Sequence, residues 1–217
     1  MWKKYHIIIP ISLLFGLVVS VQAETIYFLV GEIYPEHNDC YVLPLEDPFD
    51  IAHARDLINY GPGIGQSIVV AYIDWGISIN RNYVSPGLPG WSWYVPQFIG
   101  FADITAEILD GWPTAVEEGI FQGSIIGFWV YTVVAELGTF SEMQKWNCDL
   151  NVDGIVNFQD FAWFASKWQM LYNGGADINF DQSVNIHDLA VFADYWLQSL
   201  NRPFDMAATQ TEELITD

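Results

Sequence analysis

Residues 149–168, DLNVDGIVNFQDFAWFASKW, align without a gap on residues 177–196, DINFDQSVNIHDLAVFADYW, with a period of 28 and ten identities in twenty positions. The oxygen-bearing identities are regularly spaced. Asp149, Asn151, Asp153, Asn157 and Asp160 occupy positions 1, 3, 5, 9 and 12 of a twelve-residue segment, and Asp177, Asn179, Asp181, Asn185 and Asp188 repeat them. A hard cation such as Ca²⁺ takes six to eight oxygens at about 2.3–2.6 Å, so a loop that holds one must wrap around it and offer side chains from alternate residues, a backbone carbonyl at position 7 and a carboxylate at position 12. Ile155 and Ser183 stand at position 7, and Val156 and Val184 at position 8 suit a strand-like bridge between the paired loops. Two calcium ions are expected. The second site is the weaker, because Gly154 at position 6 of the first loop accepts a positive φ freely, whereas Gln182 must adopt it with a Cβ at a cost of about 1 kcal/mol.

After each loop the apolar spacing turns helical. Phe161, Phe164, Ala165 and Trp168, then Leu189, Phe192, Ala193 and Trp196, fall at i, i+3, i+4 and i+7, and each set predicts one buried face. Gly174-Gly175 breaks the chain before the second loop. The duplicated D-x-N-x-D loops with following helices resemble the type I dockerin module over residues 147–200. That resemblance implies a small all-α, calcium-folded module that docks a secreted protein onto a cohesin-like receptor, commonly in polysaccharide breakdown. It also implies partner selection at loop positions 10 and 11, here Phe158-Gln159 and Ile186-His187 instead of the small hydroxyl pair often found there. Phe158 and Ile186 then either meet an extracellular protein partner or pack inside a module that docks nothing.

Upstream the chain has a different character. Lys3 and Lys4, the apolar run 7–21 broken by Pro10, and Val21-Gln22-Ala23 predict a cleaved secretory signal at 1–23, too short for a membrane span, with a secreted, extracellular or cell-surface product. No later segment reaches spanning length. Secretion permits a disulfide between Cys40 and Cys148, or two thiols in different domains that never meet.

Residues 24–138 predict an α+β domain, followed by a linker at 139–146. Strands are expected at 26–32, 41–45, 67–73 and 99–109, with one long strand at 125–136. Asp47-Pro48 predicts an N-cap and first turn for a helix over 49–60, closed by Gly61-Pro62-Gly63, and a short helix is expected over 113–119. Gly61–Gly65 lacks the Lys-Ser/Thr ending of a phosphate loop, and G-x-S-x-G and H-E-x-x-H are absent. Trp91 and Trp93 lie in a Pro-bounded, loop-like run and are candidates for an exposed sugar-stacking platform. Asp74, Asp103, Glu107, Asp110 and Glu136 lie on or beside expected strands, where a facing pair would suit a glycoside hydrolase. That hydrolase is the alternative to a non-catalytic binding or assembly component. Residues 47–55, 91–93, 108–117 and 129–136 also resemble the secreted BP-seventy-four amino-terminal domain family, a resemblance that implies secretion and no particular activity.

The 27 acids against seven Lys and Arg, a net charge of −20, argue against nucleic-acid binding by repulsion from phosphate. Six of those acids are the loop aspartates. The remainder is spread along the chain, including the polar tail 201–217, which is expected to be disordered.

Overall fold

The computed structural model describes residues 24–33, 36–105, 110–171 and 174–200. The expected signal at 1–23, the tail 201–217 and Glu107 lie outside them. The described chain is α+β, with six strands in two antiparallel sheets and five α-helices. Strands β1 (Ile26–Glu32), β2 (Cys40–Leu45) and β6 (Tyr131–Gly138) form a sheet in the order β2-β1-β6. Strands β3 (Ile68–Trp75), β4 (Trp93–Ala102) and β5 (Ile125–Ile126) form the other, in the order β4-β3-β5.

Side-chain alternation explains how the first sheet comes to be buried on both faces. Phe28, Val30, Tyr41 and Leu43 point into a core shared with Val69, Ala71, Trp93, Val95 and Ile126 of the second sheet. Their neighbours Leu29, Cys40 and Val42 point the other way, into a second core with Met143, Cys148, Leu150, Val156, Phe164, Ile178, Val184 and Phe192 of the carboxy-terminal half. Strand β6 contributes to both cores through a bulge. Its pairing slips one residue between Val30↔Val133 and Leu29↔Ala135, so Tyr131 and Val133 face the first core while Ala135 and Leu137 face the second.

Helix α1 (Pro48–Tyr60) begins as its residues dictate. The Asp47 carboxylate accepts the N–H groups of Phe49 and Asp50, and Pro48 fills the first turn, where its missing N–H costs nothing. Ile51, Ala54 and Leu57 seal the first core, and Arg55 forms a bidentate ion pair with Glu136 at 2.7 and 2.8 Å. A short α2 (Pro113–Glu117) follows β4.

Four local readings are corrected. The stretch 139–146, read as a linker, is mostly helix α3 (Phe140–Asn147), started by a capping box in which Thr139 and Glu142 exchange hydrogen bonds. The single strand expected over 125–136 is two strands in different sheets, separated at 127–130. The strand expected from 99 begins instead at Trp93 and is described to Ala102. Trp91 and Trp93 form no exposed platform, being 6% and 0% exposed. Trp93 points inward from β4, its ring 5.6 Å from that of Tyr41, and Trp91 Nε1 donates to the Cys40 carbonyl at 2.9 Å. Cys40 and Cys148 line one core with no disulfide between them. Tyr83 N–H donates to Cys40 Sγ at 3.1 Å, and Cys148 Sγ donates to the Gln144 carbonyl at 3.4 Å. No helix of the described residues is long and apolar enough to cross a membrane.

Candidate metal centre

Helices α4 (Phe158–Ser166) and α5 (Ile186–Asp194) follow the two loops, and the loops have the same hydrogen-bond plan. The position 1 carboxylate accepts the N–H of positions 5 and 6, from Asp153 and Gly154 to Asp149 and from Asp181 and Gln182 to Asp177. The position 3 amide oxygen accepts the N–H of position 5, and the position 5 carboxylate that of position 7. Position 12 closes the ring. Asp160 accepts from Asn151 and Asn157, and Asp188 accepts from Asn179 and Asn185.

This folding places Asp149, Asp153 and Asp160 in one cluster and Asp177, Asp181 and Asp188 in another, each with carboxylate oxygens within 4.8 Å of one another. Two oxygens on opposite sides of a calcium ion at about 2.4 Å each stand about 4.8 Å apart, so the clusters have the dimensions of a cation's coordination shell and the all-oxygen chemistry of a hard one. The position 1 and 12 carboxylates are buried, whereas Asp153 and Asp181 face solvent. Burial, foremost, holds the Asp160 carboxyl above the usual carboxylate range, and the charges of Asp149 and Asp153 add to it against the two N–H bonds. Asp177 is raised in the same way by burial and by Asp188 and Asp181, with Arg81 acting in the opposite sense. Three like charges gathered under partial burial are unfavourable until a cation joins them.

Asn157 and Asn185 serve as N-caps, accepting from Gln159 and His187 N–H and donating Nδ2 to the position 7 carbonyls of Ile155 and Ser183. The bridge expected between the loops runs elsewhere. Val156 exchanges hydrogen bonds with Leu197 and Gln198 beyond α5, and Val184 with Gln169 and Met170 beyond α4, so each loop is tied to the exit of the other repeat's helix. The arrangement is a local pseudo-twofold, because 169 and 197 differ by the same period of 28 as the loops. Phe164 and Phe192 stack across it at 5.8 Å and 17°.

The helical faces are less buried than their spacing predicts. Phe164 and Phe192 are buried, but Phe161, Ala165, Trp168 and Ala193 are exposed, and Leu189 and Trp196 are partly so. Phe158 and Ile186 stand out at 74% and 60% exposure beside exposed Gln159 and His187. In the other half, the four described candidate carboxylates each have a hydrogen-bond partner. Asp74 accepts from Trp75 N–H, Asp103 from Gln66, Asp110 from Gly111 and Trp129, and Glu136 pairs with Arg55.

The two loops differ at position 6, where Gly154 has φ 83° and Gln182 φ 70°. A Cβ in this left-handed region is strained, so Gln182→Gly is expected to raise thermal stability by about 1 kcal/mol, read as a shift in the unfolding midpoint. An unchanged or lowered midpoint would show that the Gln182 side chain compensates for its backbone.

Arg81 was not a candidate in the sequence. It proves to be a buried contact between the second loop and the rest of the chain, through the carbonyls of Gly175 and Asp177. Nothing in the polar run Asn80-Arg81-Asn82 separates it from a solvated turn.

Residues 24–140 match the family model described as the BP-seventy-four N-terminal domain. No curated protein and no solved structure matches the chain.

Proposed function

The chain belongs to the BP-seventy-four N-terminal domain family, and from that premise we propose that it is a secreted, non-catalytic binding component whose carboxy-terminal half holds two calcium ions and docks on an extracellular protein. The observation that carries this reading is the twofold recurrence of one carboxylate cluster with one hydrogen-bond plan. A solvated acidic surface has no reason to repeat six aspartates in register and bury four of them.

In this reading Asp149, Asn151, Asp153, Asp160 and the Ile155 carbonyl hold the first ion, and Asp177, Asn179, Asp181, Asp188 and the Ser183 carbonyl hold the second. Bound calcium neutralises the converging charges and stabilises the fold by mass action. The module is dockerin-like, with a cohesin-type receptor or another extracellular protein as its partner. The exposure of Phe158 and Ile186 at equivalent places in the two repeats supports that role, as apolar anchors beside polar Gln159 and His187.

The test uses the whole chain. Trp168 lies 5.7 Å from Phe164, and Trp196 lies 5.7 Å from Phe192 and 4.9 Å from Phe158, so both indoles report on helix packing. EDTA is expected to change tryptophan fluorescence and near-ultraviolet circular dichroism, and excess calcium to restore both. Identical spectra in EDTA and calcium would rule the reading out.

A further inference from the structure

We propose that Arg81 is a positioning residue for the second metal loop, which the amino-terminal half thereby holds in its binding shape; the proposal rests on the calcium reading above. Arg81 comes from the connection between β3 and β4 and is 2% exposed. Its Nη1 donates to the Gly175 carbonyl at 3.3 Å and its Nη2 to the Asp177 carbonyl at 3.2 Å. The guanidinium carbon lies 4.2 Å from the centre of the Phe180 ring. These contacts fall two residues before the loop, at position 1 and at position 4, where Phe180 has φ 61°. One planar cation thus spans the approach to the loop and its first turn.

A second tether comes from the same connection. Tyr83 OH donates to Asn147 Oδ1 at 2.8 Å, and Asn147 Nδ2 donates to the Ile178 carbonyl at 3.2 Å. The first loop is held differently. The carbonyl of Leu150, its equivalent of Ile178, accepts the Gly87 N–H at 2.5 Å, a backbone contact without a charged side chain. The buried cation therefore serves the loop that lacks glycine at position 6, where the left-handed turn is costliest and an external support has the most to offset.

The charge of Arg81 acts in two directions, easing the repulsion among Asp177, Asp181 and Asp188 before calcium binds and opposing the ion afterwards. Arg81→Lys separates charge from geometry. Lysine keeps the charge but lacks the rigid fork that reaches two carbonyls and lies flat on a ring. Calorimetric calcium titration of the whole chain is expected to show second-site affinity reduced about tenfold in Arg81→Lys, with the first site within about twofold of its original value. Phe180→Leu, which removes the ring but retains apolar bulk, is expected to move the second site in the same direction, and it decides the matter if Arg81→Lys does not fold. Unchanged second-site binding in the variants would overturn the proposal, as would equal weakening of both sites, which marks a general structural role. Failure of the unaltered chain to bind calcium would instead overturn the calcium reading itself.

Discussion

Asp160→Ala is expected to abolish measurable calcium binding in the first loop while the second continues to titrate. Asp160 is fully buried, and its two oxygens accept N–H groups from opposite sides of the loop, Asn151 at 3.0 Å and Asn157 at 2.8 Å. It is also the third residue of α4 and completes that helix's capping box. Alanine removes the ring-closing carboxylate and the cap partner, and leaves two N–H groups without their acceptor. First-site affinity should fall by at least about a hundredfold, roughly 3 kcal/mol. Each N–H left unsatisfied costs about 1–3 kcal/mol, so calcium-free stability falls as well. Asp160→Asn separates the effects, since the amide oxygen can keep one N–H bond while the charge is lost. Calorimetry and thermal unfolding with and without EDTA check both parts. Two undiminished binding steps in Asp160→Ala would contradict the assignment.

Phe164→Ala is expected to cost about 3–5 kcal/mol, the usual range for truncating a buried phenylalanine. Phe164 is buried at the pseudo-twofold, stacked on Phe192 and 5.7 Å from Trp168. The larger consequence concerns where the damage is felt. The same core includes Leu29 and Val42, whose strands carry Phe28 and Tyr41 on their opposite face against Trp93. Lost packing should therefore reach the amino-terminal core through the shared sheet. Chemical denaturation followed by fluorescence and by far-ultraviolet circular dichroism is expected to show one coincident transition, moved to lower denaturant. Two separated transitions, with only the carboxy-terminal half weakened, would show that the sheet does not couple the cores.

Much of this architecture is legible in the residues because it depends on local chemistry. The 28-residue period places the clustered aspartates, and Asp47-Pro48 marks the start of α1. Strands β1 and β2 occur where their apolar runs do. The departures arise where tertiary contact decides. Trp91 and Trp93 lie between prolines, yet Pro96 occupies an exposed position on β4 and the strand runs through it, turning Trp93 inward. The apolar stretch from Ile125 is interrupted because Tyr131 pairs with Glu32 whereas Ile125 and Ile126 pair with Tyr72 and Ala71, so the two ends join different sheets. Helix α3 did carry a local signal, the Thr139-x-x-Glu142 spacing of a capping box.

The helical faces after the loops show a different limit. Periodicity marks the apolar side of a helix but does not say how much of it a partner element covers, and only Phe164 and Phe192 are fully covered here. Gly174-Gly175 was legible only as a break in the chain. A Cβ at Gly175 would collide with the Gly87 carbonyl, so this glycine permits the close approach of the two halves next to the Arg81 contact. Such a requirement belongs to the assembled fold, as does the burial of Arg81.

Everything proposed for this chain depends on two loops that each hold one calcium ion. Counting bound ions decides this, by native mass spectrometry of the whole chain after EDTA treatment and re-equilibration with calcium. Two calcium ions per chain are expected, falling to one in Asp160→Ala and to none when Asp188→Ala is added. A chain that retains no calcium, or a double variant that still retains two ions, would contradict the assignment of both loops.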